Sequence, residues 1–201
     1  MVRRLSLLFL LTNVLRFHVA AQNAPQIERV PASQISGATL TAADGSFSVD
    51  APTGWIWFRM PAADQAAVNL HPQMSSETYL AVDPNNRANS FILGVVRDGS
   101  HISTNREYMD GVGSGLTRTS PKTGWHISEY GYESASIPVA GAYHYHCVAT
   151  SDTGVIKHRF GYVAGDDPKF NFGYSTLSTD ESDAFRRFVA SFKRLIAKGG
   201  A

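Results

Sequence analysis

The stretch GAYHYHCVATSDTGVIKHRFGYV (141–163) gathers His144, His146, His158, the lone Cys147 and an Asp152-Thr153-Gly154 triplet. Each of these could carry chemistry. A structural zinc site needs about four converging ligands from His, Cys and carboxylates, and a catalytic one about three. Side chains alternate along a strand, so His144 and His146 share one face and form a two-ligand unit. Cys147 and His158 could pair as thiol and base if they met in an exposed position. Asp-Thr-Gly is the aspartic-protease triplet, but that chemistry takes two such loops sharing a proton. A second copy does not occur. Asp and Gly also suit a hairpin turn, and a turn is the expectation here.

The hairpin that holds these residues decides which of them can meet. With residues 151–154 as its loop, Thr150 stands opposite Val155 and Cys147 opposite His158. One face then reads Tyr143, Tyr145, Cys147, Ile156, His158, Phe160 and Tyr162, and the other His144, His146, Lys157 and Arg159. Placing residues 164–168 as the next loop pairs Val163 with Lys169. It adds Phe170, Phe172 and Tyr174 to the aromatic face and Lys169, Asn171 and Ser175 to the polar one. A slip of one residue would exchange the faces of a strand, so register is the sensitive quantity. In this register His158 and Cys147 lie buried among rings, where Cys147 is a small hydrophobe. The candidate ligand-binding face is His144, His146, Lys157 and Arg159. Two imidazoles beside two cations fall short of the usual metal set, so no metal is expected and His144 and His146 are only the nearest candidates.

Other chemistry-bearing groups read as structural. GVGSG (111–115) lacks a Gly-Lys-Ser/Thr ending and a nucleophile elbow around Ser114, and follows a helical pattern rather than a strand. Trp55, Trp57 and Phe58 suit a strand packed on a helix better than a ligand groove. The sequence shows no cofactor motif and no catalytic set.

The elements that position these residues alternate clearly. Residues 46–50 (SFSVD) follow a Asp44-Gly45 turn signal as a strand, 55–58 resume extended structure, and 90–97 form an apolar strand covered on both sides. Thr104 and Glu107 make a capping box for a helix carrying Tyr108, Met109, Val112 and Leu116 at helical spacing, weakened by Gly111, Gly113 and Gly115. Strands are expected at about 125–137, 142–149, 155–163 and 170–177. Ser178 and Glu181 then cap a closing helix with Phe185, Phe188, Val189, Phe192 and Ile196 on one face. The class is α+β, an antiparallel sheet of six or seven strands flanked by helices.

Met1 to Arg4 is basic, 5–15 (LSLLFLLTNVL) is apolar but shorter than a bilayer span, and Val19-Ala20-Ala21 suits signal peptidase. Residues 1–21 are expected to be a signal peptide, 22–43 a flexible leader with a short strand near 34–40, and 44–198 one domain. Loss of Arg3, Arg4 and Arg16 turns 18 bases against 17 acids into 15 against 17. A nearly neutral surface without a basic block disfavours nucleic acid as a partner. No later segment is long and apolar enough to cross a membrane. A single cysteine permits no internal disulfide, and the chain has no Asn-x-Ser/Thr sequon. Export to the periplasm or beyond in a bacterium is the expectation.

The phrase DGSFSVDAPTGW (44–55) resembles the opening of PsbP-like domains, of the form G-x-F-x-hydrophobic-x-x-P-x-G-W. The order of helix, long strands and a closing segment ending in Ser191, Phe192 and Lys193 is also similar, and the resemblance runs over about 44–195. It implies the α/β/α sandwich of the photosystem II extrinsic subunit, a family whose members act mostly as interaction modules and share no active site. It implies a non-enzymatic exported domain contacting a protein or envelope component. The alternatives are a small-molecule or metal binder using the His144/His146 face and, third, an enzyme using Cys147 and His158.

Overall fold

A computed structural model describes residues 27–60, 74–86, 89–98, 104–119, 124–165 and 168–195. The expected signal peptide at 1–21 lies outside these residues. Their elements in chain order are β1 (Glu28–Arg29), a 3-10 turn (Ala32–Gln34), β2 (Ile35–Ser36), β3 (Thr39–Thr41), β4 (Phe47–Asp50) and β5 (Ile56–Met60). Then come β6 (Met74–Val82), β7 (Ser90–Asp98), α1 (Asn105–Thr119), β8 (Trp125–Ser134) and β9 (Tyr143–Ser151). The chain closes with β10 (Ile156–Ala164), β11 (Lys169–Thr176), α2 (Asp183–Ala190) and β12 (Lys193–Arg194).

The class is α+β, built on two antiparallel sheets. An eight-stranded sheet runs β1-β5-β6-β7-β11-β10-β9-β8, and a four-stranded one runs β12-β4-β3-β2. More strands form than the six or seven expected. The additions are β6, which no pattern announced, with β1 and β12, while β2 and β3 stand where one short strand was expected near 34–40. Residues 28–42, expected as leader, are built into the fold: β1 pairs with β5, β2 with β3, and Val30, Leu40 and Ala42 are buried.

Helix and small sheet cover one face of the long sheet. Phe185, Phe188 and Val189 recur at helical spacing on α2 and bury against Phe91, Trp57 and Phe172. From the small sheet, Phe47 packs edge-on to Phe170 with ring centroids 5.6 Å apart. Phe192, just past α2, stacks on Phe47 at 5.7 Å. Each such ring contributes roughly 1.5–3 kcal/mol by leaving water. The closing helix is shorter than expected. Its N-cap is Ser182, whose hydroxyl accepts from Ala184 N–H, not Ser178. It stops at Ala190, because Lys193 and Arg194 pair with Ser48 and Phe47 as a strand edge.

The opposite face is covered by α1. Its capping box forms as expected: Thr104 N–H donates to Glu107 Oε2 at 2.8 Å, and Glu107 N–H returns to Thr104 Oγ1 at 3.2 Å. Met109 is buried against Tyr145, Cys147 and Val163 of the sheet. The glycines of α1 have a use, since a Cβ on Gly113 would sit 2.5 Å from the Tyr130 ring. Only glycine lets the helix settle this close, and Tyr130 Oη donates to Met109 O at 2.8 Å.

Candidate functional site

The turn between β9 and β10 sets the geometry of the histidines. Gly154 adopts a φ of +81°, its N–H donates to Ser151 O at 2.9 Å, and Ser151 N–H donates to Val155 O at 2.8 Å. Ser151 Oγ also accepts from Val155 N–H. The loop is therefore Asp152-Thr153-Gly154, the three-residue type whose last member takes the left-handed conformation. It is one residue shorter than the sequence suggested.

That single residue turns β9 over relative to β10. Thr150 pairs with Ile156, His146 with Phe160, His144 with Tyr162 and Cys147 with Arg159. The β10–β11 pairing departs from expectation by two residues, Val163 meeting Asn171 instead of Lys169. An even shift leaves the faces unchanged, whereas an odd one exchanges them. His144, His146 and His158 thus share the α2 face with Phe160 and Tyr162. Tyr143, Tyr145 and Cys147 share the α1 face with Lys157, Arg159, Lys169 and Asn171. The expected set of His144, His146, Lys157 and Arg159 is split between two sides of the sheet, and His158 joins the first two rather than facing away.

The imidazoles extend the aromatic layer toward its open end. His146 stacks on Phe160 at 4.6 Å, and His144 lies 4.7 Å from the Tyr162 ring. His146 Nε2 and His158 Nδ1 stand 3.0 Å apart, so the N–H of one ring donates a hydrogen bond to the bare nitrogen of the other. Burial pushes His146 below the usual histidine range, and a charge on His158 pushes the same way. His144 sits between two carboxylates without a hydrogen bond to either, Nε2 lying 3.6 Å from Glu181 Oε1 and Nδ1 4.0 Å from Glu133 Oε1. Glu181 Oε2 accepts from Tyr162 Oη at 3.1 Å and lies 3.6 Å from Arg186. Burial, then the Glu181 charge, raises the Tyr162 phenol. Among the described residues, no group of three His, Cys, Asp or Glu side chains is placed to hold a metal ion.

The proposed thiol–imidazole pair is broken by the same register. Cys147 is 2% exposed on the α1 face, and His158 points from the other. Burial raises the thiol, which opposes thiolate formation. Lys157 lies over the Trp125 ring at 4.8 Å. Asp152 forms an exposed contact with His126, Oδ1 to Nε2 at 2.7 Å, in keeping with a turn. Trp57 is core, its Nε1–H donating to Ala38 O.

Arg159 is the residue whose setting departs most from its sequence reading. Expected on a solvated face, it is 4% exposed beneath α1. Its Nε donates to Tyr145 Oη at 3.3 Å, and Tyr145 Oη donates to Asn171 Oδ1 at 3.3 Å. Gly161 and Gly173 face each other across β10 and β11 and make the room: a Cβ on Gly161 would meet the Tyr145 ring at 2.3 Å, and one on Gly173 would meet Arg159 Nη2 at 2.9 Å. Two glycines at equivalent strand positions were the sequence signal for this hollow.

No family model matches the chain, and no curated protein matches it. Solved structures similar to it include cyanobacterial PsbP from Synechocystis sp. PCC 6803, at 11% identity and a TM-score of 0.45, covering 89% of this chain and 98% of that one. Another is a protein from Bacteroides thetaiotaomicron, at 10% identity and a TM-score of 0.43, covering 81% of this chain and half (50%) of that one.

Proposed function

We propose that this chain is an exported, non-enzymatic binding domain whose contact surface is the histidine-bearing end of the long sheet. The observation that supports it is the partly exposed His146–His158 pair, at 3.0 Å, next to exposed aliphatic groups at the same end of the sheet. Val155, Ile156 and Leu177 are 44, 52 and 69% exposed there. Apolar side chains clustered around polar, hydrogen-bonding rings are the composition of a contact patch. The partner is a protein or other envelope component. Affinity capture from the native envelope, run beside a His146→Ala/Ile156→Ser variant, is expected to recover a component that the variant loses. Equal recovery by both proteins, or turnover of a substrate abolished by Cys147→Ala, would contradict this reading. Export itself is tested by N-terminal sequencing of the secreted protein. A start at Gln22 is expected, and an uncleaved chain kept in the cytoplasm would contradict it.

A second reading, a metal-binding surface, is favoured by the same 3.0 Å separation. Two imidazoles on a tetrahedral zinc, with Zn–N about 2.0–2.1 Å, hold their nitrogens only slightly farther apart. The chain would supply two nitrogens, and water or a partner the remainder. Calorimetric titration with zinc or copper decides it: saturable binding lost in His146→Ala/His158→Ala supports it, and no binding removes it.

A further inference from the structure

We propose a second site on the other side of the sheet: Arg159, beneath α1, receives the carboxylate of a small molecule with an apolar body. The guanidinium has five N–H donors and stays charged at any working pH. Only Nε has a partner, the Tyr145 hydroxyl; Nη1 and Nη2 are buried and make no hydrogen bond. No described carboxylate pairs with Arg159, and the neighbours that feel its charge are the Tyr145 and Tyr108 hydroxyls and the Cys147 thiol. A charge taken out of water without a counter-charge is among the most costly arrangements in a protein interior. Such a residue either weakens the fold or serves a ligand.

Its placement favours the ligand. The two unpaired nitrogens form the end-on fork that matches two carboxylate oxygens. Tyr145 and Asn171 fix the Nε side, so the fork is held in one orientation before anything binds. Tyr108 Oη is a second buried hydroxyl near Asn171 that closes no hydrogen bond of good geometry, and burial raises its phenol to about 12. It therefore remains a donor. Met109, Val163 and partly buried Ile127 pack with Tyr145 on the same face of the sheet, and they suit a hydrocarbon body rather than a free inorganic ion. The Gly161–Gly173 pair leaves the room in which the Tyr145 ring and Arg159 Nη2 lie against the sheet. Entry requires α1 to lift, and its internal glycines make it a weak helix formed largely by contact with the sheet.

Thermal unfolding of the purified protein with hexanoate, inorganic phosphate and chloride at equal ionic strength tests the site. A saturable rise in Tm with hexanoate is expected, amounting to several degrees at about a hundredfold excess over Kd. In Arg159→Met the rise should vanish, while the ligand-free variant melts no lower than the parent protein. Arg159→Lys keeps the charge but loses the fork, and should weaken hexanoate at least about tenfold. Three outcomes would overturn the proposal: hexanoate acting no more strongly than chloride, a rise that survives in Arg159→Met, or phosphate saturating where hexanoate does not. A ligand-free Arg159→Met that melts far below the parent would show a guanidinium already satisfied by the fold, and would overturn it too.

Discussion

The two faces of the long sheet solve burial in different ways. The α2 face is packed with rings: Phe47, Phe91, Phe170, Phe172, Phe185, Phe188 and Phe192 are each at most 1% exposed. They meet in edge-on and stacked pairs and ask for no polar partner. The α1 face buries Arg159, Lys169, Asn105 and Asn171 among tyrosines, and satisfies them in part by a chain of hydrogen bonds. An apolar layer tolerates small errors of shape, whereas a buried polar layer must satisfy every group or hold it for something else. Stability is concentrated on the first face. The two proposed binding sites lie at the open end of that face, where rings become imidazoles, and under α1.

The largest expected difference between the faces comes from truncation. Phe188→Ala should cost about 3–5 kcal/mol, read by denaturant unfolding, because it opens a cavity between α2 and the sheet. Loss below about 1 kcal/mol would show that α2 packs loosely. Next comes Gly161→Ala, whose Cβ would meet the Tyr145 ring at 2.3 Å. A cost of about 1–3 kcal/mol is expected, with Arg159 displaced along with the ring. A neutral result would mean that the tyrosine does not lie over β10.

The smallest effect is a dependence on pH from the open end of the α2 face. His146 is held below its ordinary 6.5 by burial. The unfolded chain therefore binds more protons in that window, and stability rises with pH across it. The protein should be at full strength above about pH 6.5 and lose stability as pH falls below it, and His146→Gln should flatten the slope. A slope of opposite sign would mean that the imidazolium is favoured in the fold.

Most of the elements were legible because their signals are local. The Thr104/Glu107 box, the alternation in 46–50 and the apolar run of β7 each lie within a few residues of the structure they specify. Misses occurred where a signal had two solutions. Asp-Thr-Gly fits a three- or a four-residue loop, and either register gives β9 a row of rings, tyrosine on one parity and histidine on the other. The choice is made by Gly154 taking a positive φ, which the residue type permits in either loop, together with the tertiary layer above Tyr145, which is not local. Ser178 with Glu181 has the spacing of a capping box, but Glu181 is taken by Tyr162 and Arg186, and Ser182 caps instead. A short strand near 34–40 was legible, and β2 and β3 form there, but β1 was hidden by its brevity and β6 by polar residues at Ser75, Ser76 and Glu77.

Both proposed sites depend on which side of the sheet each β9 side chain takes. Cross-strand backbone NOEs in the β9–β10 hairpin of the labelled protein test it directly. The account predicts that His146 faces Phe160 and His144 faces Tyr162. NOEs placing Tyr145 opposite Phe160 and Cys147 opposite His158 would contradict it, dispersing the histidine cluster and moving Arg159 away from Tyr145.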